Sequence, residues 1–320
     1  MGNLFQYFCG ALLGWGLGAN DSANVFGTAV SSRMVSYRIA VILTAFFVLL
    51  GALLQGEPGI VTLSQDLSSN PGPKAAQIAI LISVSAAITM AGMTLLSLPG
   101  SCSQAVVGAI IGLGMMRQDV NFGGFAKVLV CWLGTPIGGA AFTFIFYYAS
   151  KFILGKWRPT VFTYDPAMSL LLILSGCYGA YALGANNVAN VAAIFVGSGI
   201  MSVKQAALFG GLAIAAGGES YSKPVMMTVG KGIVKLDSFT AFICVLSEAA
   251  AVHIYAMVGV PVSTTQAIVG AVLGIGLIKG VHTVNYRMLG QVSLGWLATP
   301  FVAGGLAALG YFLANLHYQP

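Results

Sequence analysis

The sequence predicts an all-α polytopic membrane protein made of two inverted-topology repeats, with broken helices and re-entrant hairpins. Three observations predict it. The chain of 320 residues is 58% hydrophobic and only 7% charged, with a mean hydropathy of +0.89, far more apolar than soluble domains. It matches itself at three places in the same order. Amides and one carboxylate interrupt otherwise apolar segments at matched positions, as in "LGANDSANVFGTAV" from Leu17 and "LGANNVANVAAIFV" from Leu183.

In chain order, the first copy holds apolar runs at Leu4 to Val30, Ile39 to Leu54, Ala75 to Leu98, Ser101 to Met116 and Phe125 to Tyr148. A span needs about 20 residues to cross about 30 Å of hydrocarbon. Ser101 to Met116 reaches only about 24 Å at 1.5 Å per residue. Ala75 to Met116 is therefore read as a re-entrant hairpin with its tip at Pro99 to Ser103; two full spans joined there would give the same topology. The N-terminal run lacks a basic flank and a small-residue cleavage site, so it is expected to be the first span and not a removed signal.

The second copy repeats these signals. Gly14 to Ala40 and Ala180 to Ala206 share 11 identities in 27 positions, including Gly18, Ala19, Asn20, Ala23 and Asn24 against Gly184, Ala185, Asn186, Ala189 and Asn190. "PGSCSQAVVGAIIGLG" from Pro99 matches "PVSTTQAIVGAVLGIG" from Pro261, and "WLGTP" from Trp132 matches "WLATP" from Trp296. An odd number of crossings per copy, three or five, forces the second copy to enter the membrane upside down. The expected organisation is repeat 1 over 1–150, a cytoplasmic linker over 151–166 and repeat 2 over 167–320. The loops Gln55 to Lys74 and Gly217 to Asp237 are the other polar stretches, and neither carries a catalytic motif.

Placing both termini outside puts ten of the 14 Lys and Arg residues in the cytoplasm, in accord with the positive-inside bias. The net charge of +6 thus reflects topology; the basic residues form no patch, and nucleic acid is not an expected partner. Five scattered cysteines inside apolar runs fit neither a disulfide framework nor a metal spacing. Cys102, between Ser101 and Ser103, is the one a hydrophilic thiol reagent would be expected to reach. No His-Glu-x-x-His or Gly-x-Ser-x-Gly set is present, so an intramembrane hydrolase lacks a nucleophile and base.

An isolated charge at mid-membrane costs about 2.5–3.5 kcal/mol on insertion scales, and no Lys or Arg lies in the interior of an apolar segment to pair with Asp21, Lys127 standing at the edge of its run. A cation, a proton or hydrogen bonds remain. Asn20, Asp21, Asn24, Asn186, Asn187 and Asn190 offer the hard oxygens that suit Na⁺, with carbonyls freed by helix breaks at Gly18 and Gly184 adding more. The tips Pro99 to Gln104 and Pro261 to Gln266 each read as a helix N-terminus, where Pro tolerates the first turn, Ser and Thr cap it, and free N–H groups attract an anion. Ser101, Cys102, Ser103, Gln104, Ser263, Thr264, Thr265 and Gln266 are the candidate anion ligands. Because a multivalent anion without fixed cations would be severely penalised in low dielectric, co-bound cations are expected to offset it: cation-coupled anion symport. Asp21 accepting a proton from a protonated oxyanion is the alternative.

Gly10, Gly14 and Gly18 read as a helix-packing ridge. Trp132 and Trp296 read as interfacial anchors. Glu248 and His253, five apart on an apolar run, either relay protons or serve structure, Glu248 by bonding a hydroxyl and His253 near an interface.

At these residues the chain resembles the inorganic phosphate transporter family of cation-coupled symporters, over nearly its whole length. "GANDSANVFGTAV" and "GANNVANV" correspond to the family's G-A-N-D-x-A-N element, and "PVSTTQAIVGA" to its P-V-S-T-T-H element. The resemblance implies inorganic phosphate and Na⁺ or H⁺ as substrates, two re-entrant hairpins, a homodimer in the lipid bilayer of the cell membrane, and a sulfate-carrying minority. It assigns the tip hydroxyls to the anion. The chain departs at Asn187, where the family usually has Asp, at Gln104 and Gln266, where it has His, and at Val48, where a membrane glutamate is common. The first tip reads Gly100-Ser101-Cys102-Ser103 for Val-Ser-Thr-Thr. Fewer titratable groups favour Na⁺ over H⁺. The expected activity is a Na⁺-coupled phosphate symporter working by alternating access, with a sulfate symporter, a proton-coupled oxyanion symporter and an anion channel as alternatives, no organic cofactor, and no enzyme.

Overall fold

The computed structural model describes residues 2–67, 75–96, 100–118, 120, 122–154, 156, 160–232, 236–280 and 285–316. Their regular structure is helical: α1 (Gly2–Ser31), α2 (Tyr37–Gln55), α3 (Glu57–Leu67), α4 (Ala75–Leu95), α5 (Cys102–Arg117) and α6 (Phe122–Leu154), then α7 (Val161–Gly197), α8 (Val203–Tyr221), α9 (Lys223–Gly232), α10 (Ser238–Val258), α11 (Thr264–Lys279) and α12 (Tyr286–Leu316). Six of them are long and apolar enough to cross a membrane.

The two sets of six are built by the same local chemistry. Ser36 caps α2 through its hydroxyl, which accepts from Ile39 N–H at 3.4 Å; Ser202 caps α8 in a capping box with Gln205. Asp237 caps α10 by accepting from Thr240 N–H at 2.9 Å, and Lys279 at the end of α11 binds the same carboxylate at 2.5 Å. Burial alone would raise that carboxyl, but hydrogen bonds from Lys279 and Thr240 hold it below its usual value. Within α6 and α12, Thr135 and Thr299 precede Pro136 and Pro300 and return their hydroxyls to the carbonyls of Cys131 and Gly295, both at 2.6 Å. The repeated "WL-x-TP" phrase is thus a pair of proline interruptions with a hydroxyl beside each.

Packing follows the same exchange. α1 lies along α8 as α7 lies along α2; α4 packs on α1 as α10 packs on α7; α5 runs along α12 as α11 runs along α6; α9 covers α1 as α3 covers α7. Each of these four contacts has its counterpart with the copies swapped.

Glycine makes these crossings close. A Cβ on Gly18 would lie 1.8 Å from the Ile214 carbonyl, and one on Gly184 would lie 2.0 Å from that of Val48; Gly217 and Gly51 answer them from the facing helices. This corrects one expectation: α1 and α7 run unbroken through both motifs, so Gly18 and Gly184 let helices touch and free no carbonyls. The helix breaks fall elsewhere, between α2 and α3 at Gly56, between α8 and α9 at Ser222, and at the two tips. The ridge at Gly10 and Gly14 packs inward on Phe195 and Ala213.

Three further expectations change. The loops at Gln55 to Lys74 and Gly217 to Asp237 hold α3 and α9, which bury Ile60, Leu63, Val225 and Met226 on α7 and α1; amphipathic helices of 10 and 11 residues look polar when averaged. Helix also invades the expected linker 151–166 from both sides, α6 ending at Leu154 and α7 starting at Val161 with Pro166 inside it. Trp132 is buried and Trp296 packs against the core, each with its indole N–H enclosed.

Overpacking such a crossing costs about 1–3 kcal/mol. Gly18→Ala and Gly184→Ala are expected to lower the thermal midpoint of the detergent-purified protein, while Gly92→Ala, which meets nothing within 4 Å, is expected to leave it unchanged or raise it. Equal midpoints for all three variants would contradict the packing role.

Candidate functional site

The α4–α5 and α10–α11 hairpins bring two helix N-termini to the middle of the fold. Gly259, in the left-handed region at φ 76°, ends α10 and turns the chain toward Val260 to Val262. Ser101 and Ser263 then cap α5 and α11, accepting from Gln104 N–H at 3.4 Å and Gln266 N–H at 3.2 Å. Pro99, expected at the first tip, lies outside the described residues. The outer ends of these helices carry Arg117 and Lys279, cations where the helix dipole is negative.

The asparagine motifs lie midway along α1 and α7, against the tips. Asn20 accepts Gly100 N–H through Oδ1 at 2.9 Å and donates to Thr94 Oγ1 at 3.2 Å. Its counterpart Asn186 accepts Val262 N–H at 3.0 Å and donates to Val262 O at 2.8 Å and Asn187 Oδ1 at 2.5 Å. Asn24 donates to Thr264 Oγ1 at 3.3 Å and Thr265 Oγ1 at 3.0 Å, and Asn190 to Ser103 Oγ at 3.1 Å. The tips also brace each other: Ser103 donates to Val262 O at 3.1 Å and Thr265 to Gly100 O at 2.7 Å. Asn187 joins the two motifs by donating to Asp21 Oδ2 at 2.6 Å. Two clusters and two tips, 162 to 166 residues apart in sequence, form one site.

All fourteen candidate residues are buried. Cys102 is the exception in kind, since it is buried within the apolar core cluster and so not open to a hydrophilic reagent, contrary to expectation. No Lys or Arg is among the buried residues described. The polar atoms left without a protein partner are nearly all oxygens, and five lie on the candidate residues: Asp21 Oδ1, Asn24 Oδ1, Asn190 Oδ1, Gln104 Oε1 and Gln266 Oε1. Buried acceptors are normally satisfied, and a set of carboxylate and amide oxygens with no donor of its own suits a hard cation. The residues present therefore fit Na⁺ at the asparagines.

Sequence reasoning did not identify Thr94, or the backbone of Gly100 and Val262, as members of the site. Main-chain groups leave no trace in composition, and a lone Thr in an apolar run usually bonds its own helix.

The chain matches the phosphate transporter family over residues 17–165 and again over 161–307, the two copies of the duplication. It is 32% identical to an inferred phosphate permease of Methanocaldococcus jannaschii, over 90% of this chain and 89% of that one. It is 26% identical to a sulfate permease of Bacillus subtilis, over 94% and 84%. In fold it is similar to a solved sodium-dependent phosphate transporter, with a TM-score of 0.85, 98% coverage of both chains and 23% identity. A site assembled twice from one repeated unit, in a chain that matches one transporter family twice, has one reading: this is a multi-pass membrane protein of the phosphate transporter family.

Proposed function

We propose that the protein is a Na⁺-coupled inorganic phosphate symporter and not an enzyme. The observation that carries this reading is the pairing of two capped helix N-termini with orphaned oxygens on Asp21, Asn24 and Asn190, in a core whose described buried residues include no basic side chain. Helix N-termini and tip hydroxyls attract the anion; the oxygens beside them attract the cation that neutralises it.

The geometry favours an order of binding. A cation on Asp21 Oδ1, Asn24 Oδ1 and Asn190 Oδ1 displaces no hydrogen bond, because those atoms have no protein partner. Phosphate does displace some, since Ser103 and Thr265 already donate to the opposite tip. Sodium binds first, drawing the amide oxygens inward, and the hydroxyls then turn from Val262 O and Gly100 O to the anion. Ser101, Ser263, Gln104 and Gln266 complete the anion shell, with Cys102 packing behind it. Asn20, Asn186 and Asn187 hold the tips and Asp21 in register.

The two repeats sit in the membrane in opposite senses, a reading supported by the pairwise exchange of their contacts, and rock about this site in alternating access. Both termini face outward from the cell membrane, a second copy completes a homodimer, and the short linker is cytoplasmic. A sulfate symporter is the second reading, favoured by the likeness to the Bacillus subtilis permease and by the altered first tip.

Proteoliposomes test both. A Na⁺ gradient is expected to drive uphill phosphate uptake that excess sulfate barely slows; strong inhibition by sulfate would favour the second reading, and downhill flux alone would indicate a channel. Asp21→Asn removes the buried charge. A loss of about 2–5 kcal/mol would cut Na⁺-driven uptake at least about thirtyfold with the helical circular dichroism unchanged. Unaltered uptake would remove Asp21 from the mechanism. Ser103→Ala with Thr265→Ala is expected to raise the KM for phosphate about tenfold or more, at about 1–3 kcal/mol per lost bond, while the apparent Na⁺ affinity in the absence of phosphate stays put. An unchanged KM would move the anion away from the tips.

A further inference from the structure

Glu248 lies on α10, outside the site described above, and is completely buried. Neither of its carboxyl oxygens has a hydrogen-bond partner in the protein, so the hydroxyl partner expected from sequence is absent. The carboxyl rests over Gly179 of α7 between two valines: a Cβ on Gly179 would lie 3.4 Å from Glu248 Oε2, 3.1 Å from Val25 and 3.7 Å from Val245. The neighbours it shares over Gly179 are aliphatic, whereas a metal ion requires several oxygens. Leaving a carboxylate there ionised and unpaired costs several kcal/mol. A proton is the one cation that satisfies it without further ligands.

The electrostatic neighbours are Asp21 from α1, whose charge repels that of Glu248, and Tyr178 from α7. The other helices packed on α10 carry their charges at the ends: Lys151 of α6 over the Tyr147 ring, Lys279 of α11 on Asp237, and Glu57 of α3 exposed. Tyr178, next to Gly179, shares a 2.9 Å hydrogen bond with His253 Nδ1, and His253 Nε2 meets Gln55 Oε1 at 2.5 Å. Tyr178, His253 and Gln55 are only part-buried, and Gln55 is the last residue of α2. A polar chain of Tyr178, His253 and Gln55 therefore starts next to Gly179, on which the Glu248 carboxyl rests, and leads toward the end of a helix.

We infer that Glu248 is a proton-binding site, loaded through Tyr178 and His253, so that the transporter carries a proton on this carboxyl together with Na⁺ and its anion. The proton comes from water on one side, occupies one carboxyl oxygen during the crossing and returns to water on the other, with no other bond made or broken. The repulsion between the charges of Asp21 and Glu248 links the two cation sites. The inference rests on the symport reading, which it extends by one coupled ion.

Two measurements on the full-length protein test it. In proteoliposomes with a fixed Na⁺ gradient, imposing an inward proton gradient of one pH unit is expected to raise the phosphate accumulation ratio about tenfold more in the wild type than in Glu248→Gln, because one proton contributes one factor of ten per unit. An equal response in the two proteins overturns the inference. A wild type that accumulates no phosphate on either gradient instead sinks the symport reading. Should the variant fail to fold, infrared spectroscopy of wild-type protein carrying carboxyl-labelled glutamate decides. The chain has three glutamates, and Glu57 and Glu219 are exposed, so a protonated-carboxyl band at neutral pH belongs to Glu248. That band is expected in the absence of Na⁺ and phosphate; finding every glutamate ionised overturns the inference.

Discussion

A multivalent anion in the interior of an apolar protein needs positive charge, and among the described residues this protein buries no Lys or Arg to supply it. That constraint organises the rest. Backbone N–H groups at two helix N-termini give partial positive charge, hydroxyls give direction, and neither gives a full unit. On the proposed symport reading the deficit is met by diffusible cations, and this is why acceptor oxygens and anion-directed donors would share one site. A fixed lysine would hold phosphate well and release it poorly; on the proposed reading, a cation that leaves with its gradient would serve binding and release with the same group.

The fold delivers both halves through one duplicated unit. Each copy contributes a helix with an asparagine motif and a hairpin tip, and the motif of one copy reaches the tip of the other: Asn24 of α1 bonds Thr264 and Thr265, and Asn190 of α7 bonds Ser103. Within a copy, Asn20 and Asn186 hold their own tip through its backbone. The site therefore depends on both copies at once, and motion of one against the other disturbs the bonds that Asn24 and Asn190 make across the copies while each tip stays with its own motif. The glycine crossings at Gly18 and Gly184 matter for the same reason, since a few tenths of an ångström between α1 and α8, or α7 and α2, moves the motif that follows.

Much of this was legible in the chain. Asparagines that recur at matched places in apolar sequence need a shared reason, and the hydroxyl tips recur at nearly the same offset, so the duplication, the helical membrane class and all fourteen candidate residues could be named from residue type and spacing. What escaped was whatever depends on distance between segments. Gly18 and Gly184 look the same in sequence whether they break a helix or let two helices touch; only Ile214 O and Val48 O, far away in the chain, tell the difference. α3 and α9 hid because their apolar residues are few and face inward. Cys102 stands among polar neighbours in sequence and among apolar ones in space. Glu248 was visible as an intramembrane acid, but the absence of any partner is a property of three dimensions.

The central claim is that the anion is held only in the company of a cation, and calorimetry on the purified protein tests it without reference to transport. Phosphate would be titrated in Na⁺ buffers and in buffers where a large organic cation replaces Na⁺ at equal ionic strength. Reciprocal coupling predicts that phosphate affinity rises with Na⁺, approaching about tenfold per tenfold rise in Na⁺ for each coupled ion below saturation, and that binding vanishes from the trace without Na⁺. The same phosphate affinity in both buffers would contradict the account.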